Sequence, residues 1–282
     1  MSRFKKVLLA ITVLVIAVIG AGYFALKSSG IISRADYDHA APAIPDFDRP
    51  AVLVLSKANG FVHVDALPAG KAMLQKIAEL QNWDIYTTEN AATHNPEDLA
   101  KFDVVIWNNV SGDVLTEEQR AALKRWIEQG GGWIGIHASG GDFSYQWDWY
   151  VETLIGAQFV GHTMDPQFQD ANVLVADESV GLTAHLVSPW TISEEEWYAF
   201  DRSPRHKGSE ILLSVDESSY ITKGKNFLFN DSMEGEHPIA WRHRIGEGRV
   251  FYSAIGHQGA TYSVPEFQTL IAAAIKWAGD VK

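Results

Sequence analysis

The chain has 282 residues, a formal net charge of −12 and no cysteine. The absence of cysteine excludes disulfides, thiolate metal sites and a cysteine nucleophile. No cluster of Lys and Arg follows the N-terminus, which argues against a nucleic-acid partner, because such a partner requires a basic face. A hydrophobic fraction of 46% is enough to form a sizeable core in one large or two modest domains.

An apolar segment near the N-terminus predicts a transmembrane helix. Arg3, Lys5 and Lys6 lie in residues 1–6 and precede an uninterrupted apolar run over residues 7–26. Twenty residues make about 30 Å of helix, which is enough to cross a bilayer's hydrocarbon core. The run exceeds a typical signal-peptide core and no clean cleavage pattern follows, so an uncleaved anchor is preferred over a signal peptide. The basic flank should then stay cytoplasmic, with the rest of the chain on the periplasmic or extracytoplasmic side.

Residues 27–49 are predicted to be a linker, because they contain prolines and several aspartates and show no hydrophobic period. The folded domain is assigned to residues 50–280. Its first half alternates short apolar strands with amphipathic helices. Strands are predicted over residues 51–56, 83–87 and 102–107 and in a run ending at His137, and helices over residues 68–80 and 116–129.

This alternation predicts an α/β fold, a doubly wound and mainly parallel sheet with helices on both faces. The second half of the domain is less regular. It predicts strands over residues 172–176, 211–215, 237–241 and 248–255, followed by a closing helix over residues 265–278.

Polar side chains follow several predicted strands at their carboxyl ends, where ligands bind in open α/β sheets. Right-handed crossovers place the loops that hold His63, Asn108 and His137 on one edge, and His257 follows the last strand. His137 ends a strand inside a run of small residues, which favours a role as a base or a metal ligand. The alternative for His137 is a packed histidine bonded to the backbone.

The remaining histidines lie away from these predicted strand ends. His162 follows a strand fragment in a region whose fold the pattern leaves open. His237 precedes Pro238, where a turn-capping role and a site role both fit. The others lie in polar surroundings and are predicted to be at the surface: His39, His94, His185, His206 and His243.

An acidic run over residues 194–196 abuts Trp197 and Tyr198. Acidic runs are usually solvated, but the adjacent aromatic residues indicate that one carboxylate, of Glu195 or of Glu196, turns inward. Several histidines and one carboxylate suit a divalent ion such as Zn, Mn, Fe or Ni. His63, His137 and His257 are the candidate metal ligands, although the chain lacks the close spacing of an HExxH motif.

Taken together, these stretches resemble the ThuA-like (trehalose utilisation) family, which has the class I glutamine amidotransferase-like fold. The resemblance covers nearly all of residues 51–280. It rests on Gly60-Phe61-Val62-His63, Gly130-Gly131-Gly132-Trp133-Ile134-Gly135-Ile136-His137, Gly156-Ala157-Gln158-Phe159 with His162, Glu195-Glu196-Trp197-Tyr198, His237-Pro238-Ile239-Ala240-Trp241, and Gly248-Arg249-Val250-Phe251-Tyr252 through Gly256-His257.

Some positions depart from the pattern of the family. Val62 stands where the family commonly has Arg. The family motif Asp-Glu-x-Tyr appears here as Glu195-Glu196-Trp197-Tyr198. This correspondence favours Glu196 as the carboxylate that turns inward. His137 occupies the slot where glutamine amidotransferases have their nucleophilic cysteine. The resemblance therefore implies the fold but not the amidotransferase reaction.

The resemblance implies use of a carbohydrate, namely trehalose or a related disaccharide, often through a 3-keto intermediate. The predicted catalytic residues are His137, Glu196 and Tyr198, and the predicted substrate contacts are His63, Asn108, His162, Trp197 and His257. The main alternative is a non-catalytic sugar-binding or scaffolding domain. A conventional glycosidase ranks last, because it needs two carboxylates flanking the bond and only the acidic run supplies one.

Overall fold

The computed structural model describes residues 3–28, 35–142, 147–176, 181–224 and 230–281. The helices, in chain order, are α1 (Arg3–Ser28), α2 (Ala66–Gln81), α3 (Pro96–Leu99), α4 (Glu117–Glu128) and α5 (Pro265–Gly279). The strands are β1 (Ala51–Leu55), β2 (Asp84–Thr88), β3 (Val104–Asn108), β4 (Gly132–Ile136), β5 (Phe159–His162), β6 (Phe168–Val175), β7 (Trp190–Glu196), β8 (Tyr198–Phe200), β9 (Glu210–Val215), β10 (Pro238–Ile245) and β11 (Gly248–Ser253).

Nine of these strands form one sheet, in the order β2-β1-β3-β4-β11-β10-β9-β6-β7. The first five are parallel, and the pairs from β11 to β7 are antiparallel. The predicted α/β fold is confirmed, but the sheet is mixed and not mainly parallel. One reason is that only Gly246 and Glu247 join β10 to β11, and a two-residue turn makes a hairpin, whereas a parallel pair needs a long crossover.

The parallel half has the apolar strands that the sequence indicates. Every residue of β1, β3 and β4 is buried, as expected for strands covered on both faces. The chain moves from β1 to β2 in one direction along the sheet and from β3 to β4 in the other. Right-handed crossovers therefore place α2 and α4 on opposite faces. This arrangement leaves the carboxyl ends of the parallel strands open at one edge.

Local signals define helix α4 as predicted. The side chain of Thr116 accepts a hydrogen bond from the Gln119 backbone, and the Gln119 side chain accepts one from the Thr116 backbone, which completes a capping box. Gly130 follows the helix with φ of +121°, a conformation that glycine adopts without steric cost. The chain can therefore turn sharply into β4 and deliver His137 to the open edge.

The N-terminal region has two parts. Within α1, the stretch Arg3–Phe24 has a mean hydropathy of 2.6 and buries none of its surface, so its length and composition suit a membrane anchor or a signal sequence. Residues 35–49, in the predicted linker, form no helix or strand, yet they pack on the domain. The Tyr37 hydroxyl donates to Asp113 at 2.6 Å, Asp38 pairs with Lys57 at 2.7 Å, and Ile44 is buried in the core.

Candidate active site

His137 lies in a constrained turn directly after β4. Its φ of +47° is left-handed, a conformation that costs a non-glycine residue about 1 kcal/mol or more. Two contacts hold it there: the ring Nδ1 lies 2.7 Å from the carbonyl oxygen of Ala254, and the Tyr252 hydroxyl donates to the carbonyl oxygen of His137 at 2.8 Å. The side chain is completely buried. Backbone strain of this kind is typical of functional positions.

The contact with Ala254 defines which nitrogen of His137 carries the proton. A carbonyl oxygen only accepts, so Nδ1 donates and the Nε2 of the neutral ring presents a lone pair. The Tyr198 hydroxyl lies 3.0 Å from this Nε2, and the Nδ1 of His257 lies 3.2 Å from it. Nε2 of His137 is thus available to accept a proton or to bind a cation.

Glu196, at the end of β7, and Tyr198, in β8, which pairs with β5 outside the nine-stranded sheet, both reach His137. Alternate residues of an extended chain share one face, so Glu196 and Tyr198 point together while Trp197 points away. The indole of Trp197 is buried and donates to the carbonyl oxygen of Gln169 at 3.0 Å. Gly141 admits the ring of Tyr198, because a β-carbon at this position would overlap it.

The carboxylate of Glu196 is buried and surrounded by imidazole rings. One oxygen lies 3.0 Å from Nδ1 of His257 and 3.5 Å from Nε2 of His137. The other lies 3.0 Å from Nδ1 of His162 and accepts from Gln167 at 2.6 Å. Burial by itself raises the pKa of Glu196, but hydrogen bonds from the surrounding imidazoles, among them that of His257, outweigh it and hold that pKa well below its usual range. Glu196 is therefore an anion at neutral pH.

His63 completes the cluster from the loop after β1. Its ring contacts those of His137 and His257 edge-on, with ring centroids 4.8 and 4.7 Å away. Burial, followed by the charges of His137 and His257, lowers the pKa of His63 to about 2, so the ring is neutral. Its Nδ1 is buried without a hydrogen-bond partner among the described residues. Phe61, about half exposed, covers His63 from the outside.

A profile of the trehalose-utilisation (ThuA) family matches residues 51–278. The chain belongs to the ThuA family. No curated protein sequence matches it. Among solved structures it is similar to a ThuA-like protein from Bacteroides uniformis, with 24% identity and a TM-score of 0.70, covering 85% of this chain and 94% of that one.

Two further solved structures show the breadth of the fold. A ThuA-like protein from Parabacteroides merdae has 16% identity and a TM-score of 0.60, covering 82% of this chain and 90% of that one. A β-galactosidase from Bacillus circulans sp. alkalophilus has 14% identity and a TM-score of 0.52, covering 83% of this chain and 31% of the enzyme. Similarity at these identities shows the fold alone.

In this ThuA domain, six of the eight predicted site residues meet at the open edge, and two do not. His63, His137, His162, Glu196, Tyr198 and His257 form one connected group. Asn108 is fully buried and donates to the Ser56 hydroxyl and the Leu67 carbonyl, which ties β3 to α2. Asn108 and Trp197 are therefore bonded into the core beside the site and do not join this group.

Three more residues bear on the ThuA site: Gln167 and Asp231, which the sequence did not single out, and His237, for which it left a turn-capping role and a site role open. Gln167 bonds Glu196. His237, buried, lies 2.7 Å from both the Tyr198 carbonyl and Glu217, so it positions the chain at Tyr198. Asp231 is buried, and burial together with the charge of Glu196 raises its pKa to about 7. Gln167 and Asp231 lie between the motifs that carry the family resemblance and at no predicted strand end, so the sequence analysis did not single them out.

Glu195, the rejected alternative to Glu196, also turns inward. A bulge between β6 and β7, where Glu194 has φ of +53°, shifts the alternation just before this pair, and the chain from Glu195 onward is buried on both faces, so that both carboxylates are buried. Glu195 accepts from the backbone of Gly256 at 3.2 Å, from that of His257 at 3.0 Å and from the Thr261 hydroxyl at 2.8 Å. Glu195 thus fixes the loop that carries His257.

One prediction for the surface histidines is wrong. His94 is completely buried, and its Nε2 accepts a hydrogen bond from the indole of Trp107 at 3.0 Å. A neutral imidazole that satisfies a buried indole N–H is stable in the core, although the local sequence around it is polar. His39, His185 and His206 are exposed as predicted, whereas His243 is half-buried.

Proposed function

We propose that this ThuA domain is an enzyme that acts on a keto sugar. The enzyme removes a proton from the carbon next to the keto group. The proposed substrate is a 3-keto disaccharide of the trehalose type, and the family description, trehalose utilisation, supports the choice of a disaccharide of that type. The observation that carries the proposal is the position of His137 Nε2, on a ring whose Nδ1 donates to Ala254, 3.0 Å from the Tyr198 hydroxyl and 3.5 Å from the Glu196 carboxylate.

The reaction follows from these groups. The 3-ketone acidifies the C2 proton, and Nε2 of His137 accepts it, because the pKa of Glu196 is too low for that carboxylate to be an effective base. The Glu196 anion stabilises the imidazolium that forms. The electron pair left at C2 forms the C1=C2 double bond as the glycosidic C1–O bond breaks, and the leaving oxygen takes a proton. Water can then add across the double bond.

Tyr198 is suited to hold the developing enolate oxygen. Burial, together with the charge of Glu196, raises the pKa of Tyr198 well above its usual value, so the hydroxyl stays protonated and can donate a hydrogen bond. His63, His162 and His257 line the same position as substrate contacts. Phe61, beside His63 and His257, offers an apolar surface for the C–H face of a sugar ring.

The test follows proton exchange at C2. The full chain in mild detergent is incubated in D2O with a 3-keto disaccharide and with the unoxidised parent, and deuterium incorporation and monosaccharide release are followed by NMR. We expect both processes with the keto sugar only. His137→Asn, in which Asn tolerates the left-handed backbone, should be slower by about 10²–10⁴-fold, the usual contribution of a general base.

His185→Asn, at an exposed histidine, is the matched control and should keep the parent rate. A keto sugar that binds without exchange or release would identify a binding module in place of an enzyme. Equal rates for His137→Asn and the parent would exclude His137 as the base.

We also propose that α1 remains attached and anchors the domain on the periplasmic side. The apolar stretch of α1 and the preceding Arg3, Lys5 and Lys6 support this orientation. The intact mass of the protein from the membrane fraction should include residues 1–28, and externally added protease should remove the domain from spheroplasts. A soluble mature chain that lacks this segment would identify a cleaved signal peptide.

A further inference from the structure

Four side chains converge on one small volume at the open edge of the sheet. His63, His137 and His257 follow β1, β4 and β11, and Glu196 arrives from β7. One ring nitrogen or carboxylate oxygen from each lies within 4.8 Å of the others. Three of the four residues are buried, and His257 is only partly accessible. Residues this far apart in the chain meet here because four separate elements end at the same place.

The described residues place no permanently charged cation beside the Glu196 carboxylate. The ion-pair partners of the Glu196 carboxylate in the described chain are His137, His162 and His257, with no Lys or Arg among them. His137 presents a lone pair at Nε2, and His63 has a buried Nδ1 without a partner. A buried carboxylate with neither Lys nor Arg beside it is costly unless another cation neutralises it.

The spacing of the donor atoms matches a small metal ion. Bonds of about 2.0–2.1 Å in a tetrahedron place neighbouring ligand atoms roughly 3.3 Å apart. The distances from Nδ1 of His257 to Nε2 of His137 and to the Glu196 oxygen are 3.2 and 3.0 Å, and that oxygen lies 3.5 Å from Nε2 of His137. These values lie close to the edges of such a tetrahedron.

The outer contacts also fit a metal centre. Metal-binding histidines usually donate their second nitrogen to a carbonyl or a carboxylate, which fixes the tautomer. His137 does this through Nδ1 to Ala254. The second oxygen of Glu196 is held by Gln167 and His162, and the backbone of His257 is held by Glu195. Each of these three residues is therefore oriented before any ion arrives.

We propose that His63, His137, His257 and Glu196 form a binding site for one divalent transition-metal ion of the Zn²⁺ type. The set of three imidazoles and one carboxylate suits Zn, Mn, Fe and Ni, and it disfavours Mg and Ca, which prefer oxygen ligands. A bound ion would polarise a sugar carbonyl as a Lewis acid. Binding of the ion does not rest on the proposed function. An ion on Nε2 of His137 would occupy the lone pair that accepts the C2 proton there, so the metal-loaded chain should not catalyse C2 exchange through His137.

Metal binding is measured directly on the full chain in mild detergent. The protein is stripped with a chelator, dialysed, and titrated with Co²⁺ and then Zn²⁺, and metal content is determined by mass spectrometry. We expect one ion per chain, a visible Co²⁺ spectrum, and its loss on addition of Zn²⁺. His63→Ala, His257→Ala and Glu196→Gln should each weaken binding by more than about 100-fold, the upper range for loss of an outer contact alone.

Two exposed histidines provide the control. His185→Ala and His206→Ala remove the same chemical group from the surface and should leave stoichiometry and affinity unchanged. Far-UV circular dichroism confirms that each variant is folded. The proposed site would be overturned if the wild-type chain took up none of the tested ions. It would also be overturned if the ligand variants bound metal as well as the controls do. The first outcome does not depend on whether any variant folds.

The outcomes separate this site from the proposed function. Stoichiometric metal uptake by a chain whose stripped form catalyses no C2 exchange would support the metal site and overturn the proposed function. Exchange by stripped protein that takes up no metal would support the function and overturn the metal site. Exchange by stripped protein that stops when one equivalent of metal binds supports both, because the ion then occupies Nε2 of His137. Exchange that disappears on stripping and returns with metal would support the metal site and overturn His137 as the base.

Discussion

Replacement of Glu195 by Ala should destabilise the domain by on the order of 4 kcal/mol. The change leaves the backbone N–H groups of Gly256 and His257 and the Thr261 hydroxyl without their buried acceptor. Each unsatisfied buried donor costs about 1–3 kcal/mol, and partial relaxation of the loop lowers the sum. Urea unfolding of the full chain, followed by tryptophan fluorescence, measures the effect.

Glu194→Ala is the matched control, because Glu194 precedes Glu195 in the same strand and its side chain is exposed. Its effect should stay within about 0.5 kcal/mol. In addition, Glu195→Ala should reduce metal uptake or C2 exchange, since the loop that carries His257 loses its attachment. A stability change for Glu195→Ala no larger than that of the control would contradict the anchoring role of this carboxylate.

Acid should destabilise the domain through His94 before most carboxylates are protonated. Burial lowers the pKa of His94 to about 4, whereas the unfolded chain has an ordinary value of about 6.5. The unfolded state therefore binds more protons between these values. Above about pH 6.5 the buried, neutral His94 costs the folded state nothing relative to the unfolded chain. As the pH falls from 6.5 to 4, the free energy of unfolding decreases by about 1.4 kcal/mol per pH unit, or about 3 kcal/mol in total.

The variant His94→Gln isolates this contribution, because glutamine can still accept from the Trp107 indole but does not titrate near neutral pH. Between pH 7 and pH 4 its unfolding free energy should fall by about 3 kcal/mol less than that of the parent. His39→Gln, at an exposed position, should show the pH dependence of the parent. Parallel curves for the parent and His94→Gln would show that His94 is not the group that takes up the proton.

The pattern of the sequence predicts the parallel half of the fold well, because its signals are local. Runs such as β1 and β3 are continuously apolar, the capping box at Thr116 begins α4, and Gly130 ends it. The antiparallel half lacks such signals. Its strands are partly exposed and contain a bulge, so neither their pairing order nor the burial of both Glu195 and Glu196 follows from periodicity.

The residues of the candidate site also divide into those that a local pattern identifies and those that it does not. Strand ends identify His63, His137 and His257, because the carboxyl edge of a parallel sheet is a general place for ligands. The same rule selected Asn108, which the structure packs against Ser56 and Leu67 in the interior. A strand end indicates the edge of the sheet, but neighbouring elements decide whether a side chain there is covered.

The sequence by itself determined the α/β class, the apolar N-terminal helix and the position of His137 after β4, since each depends on residues that are close together in the chain. Only the tertiary structure decided that Glu196 and Tyr198 meet His137, that Glu195 fixes the loop of His257, and that His94 is buried against Trp107. Those contacts join segments separated by 13 to 62 residues. Their geometry depends on how the sheet brings distant strands together, and no local pattern encodes it.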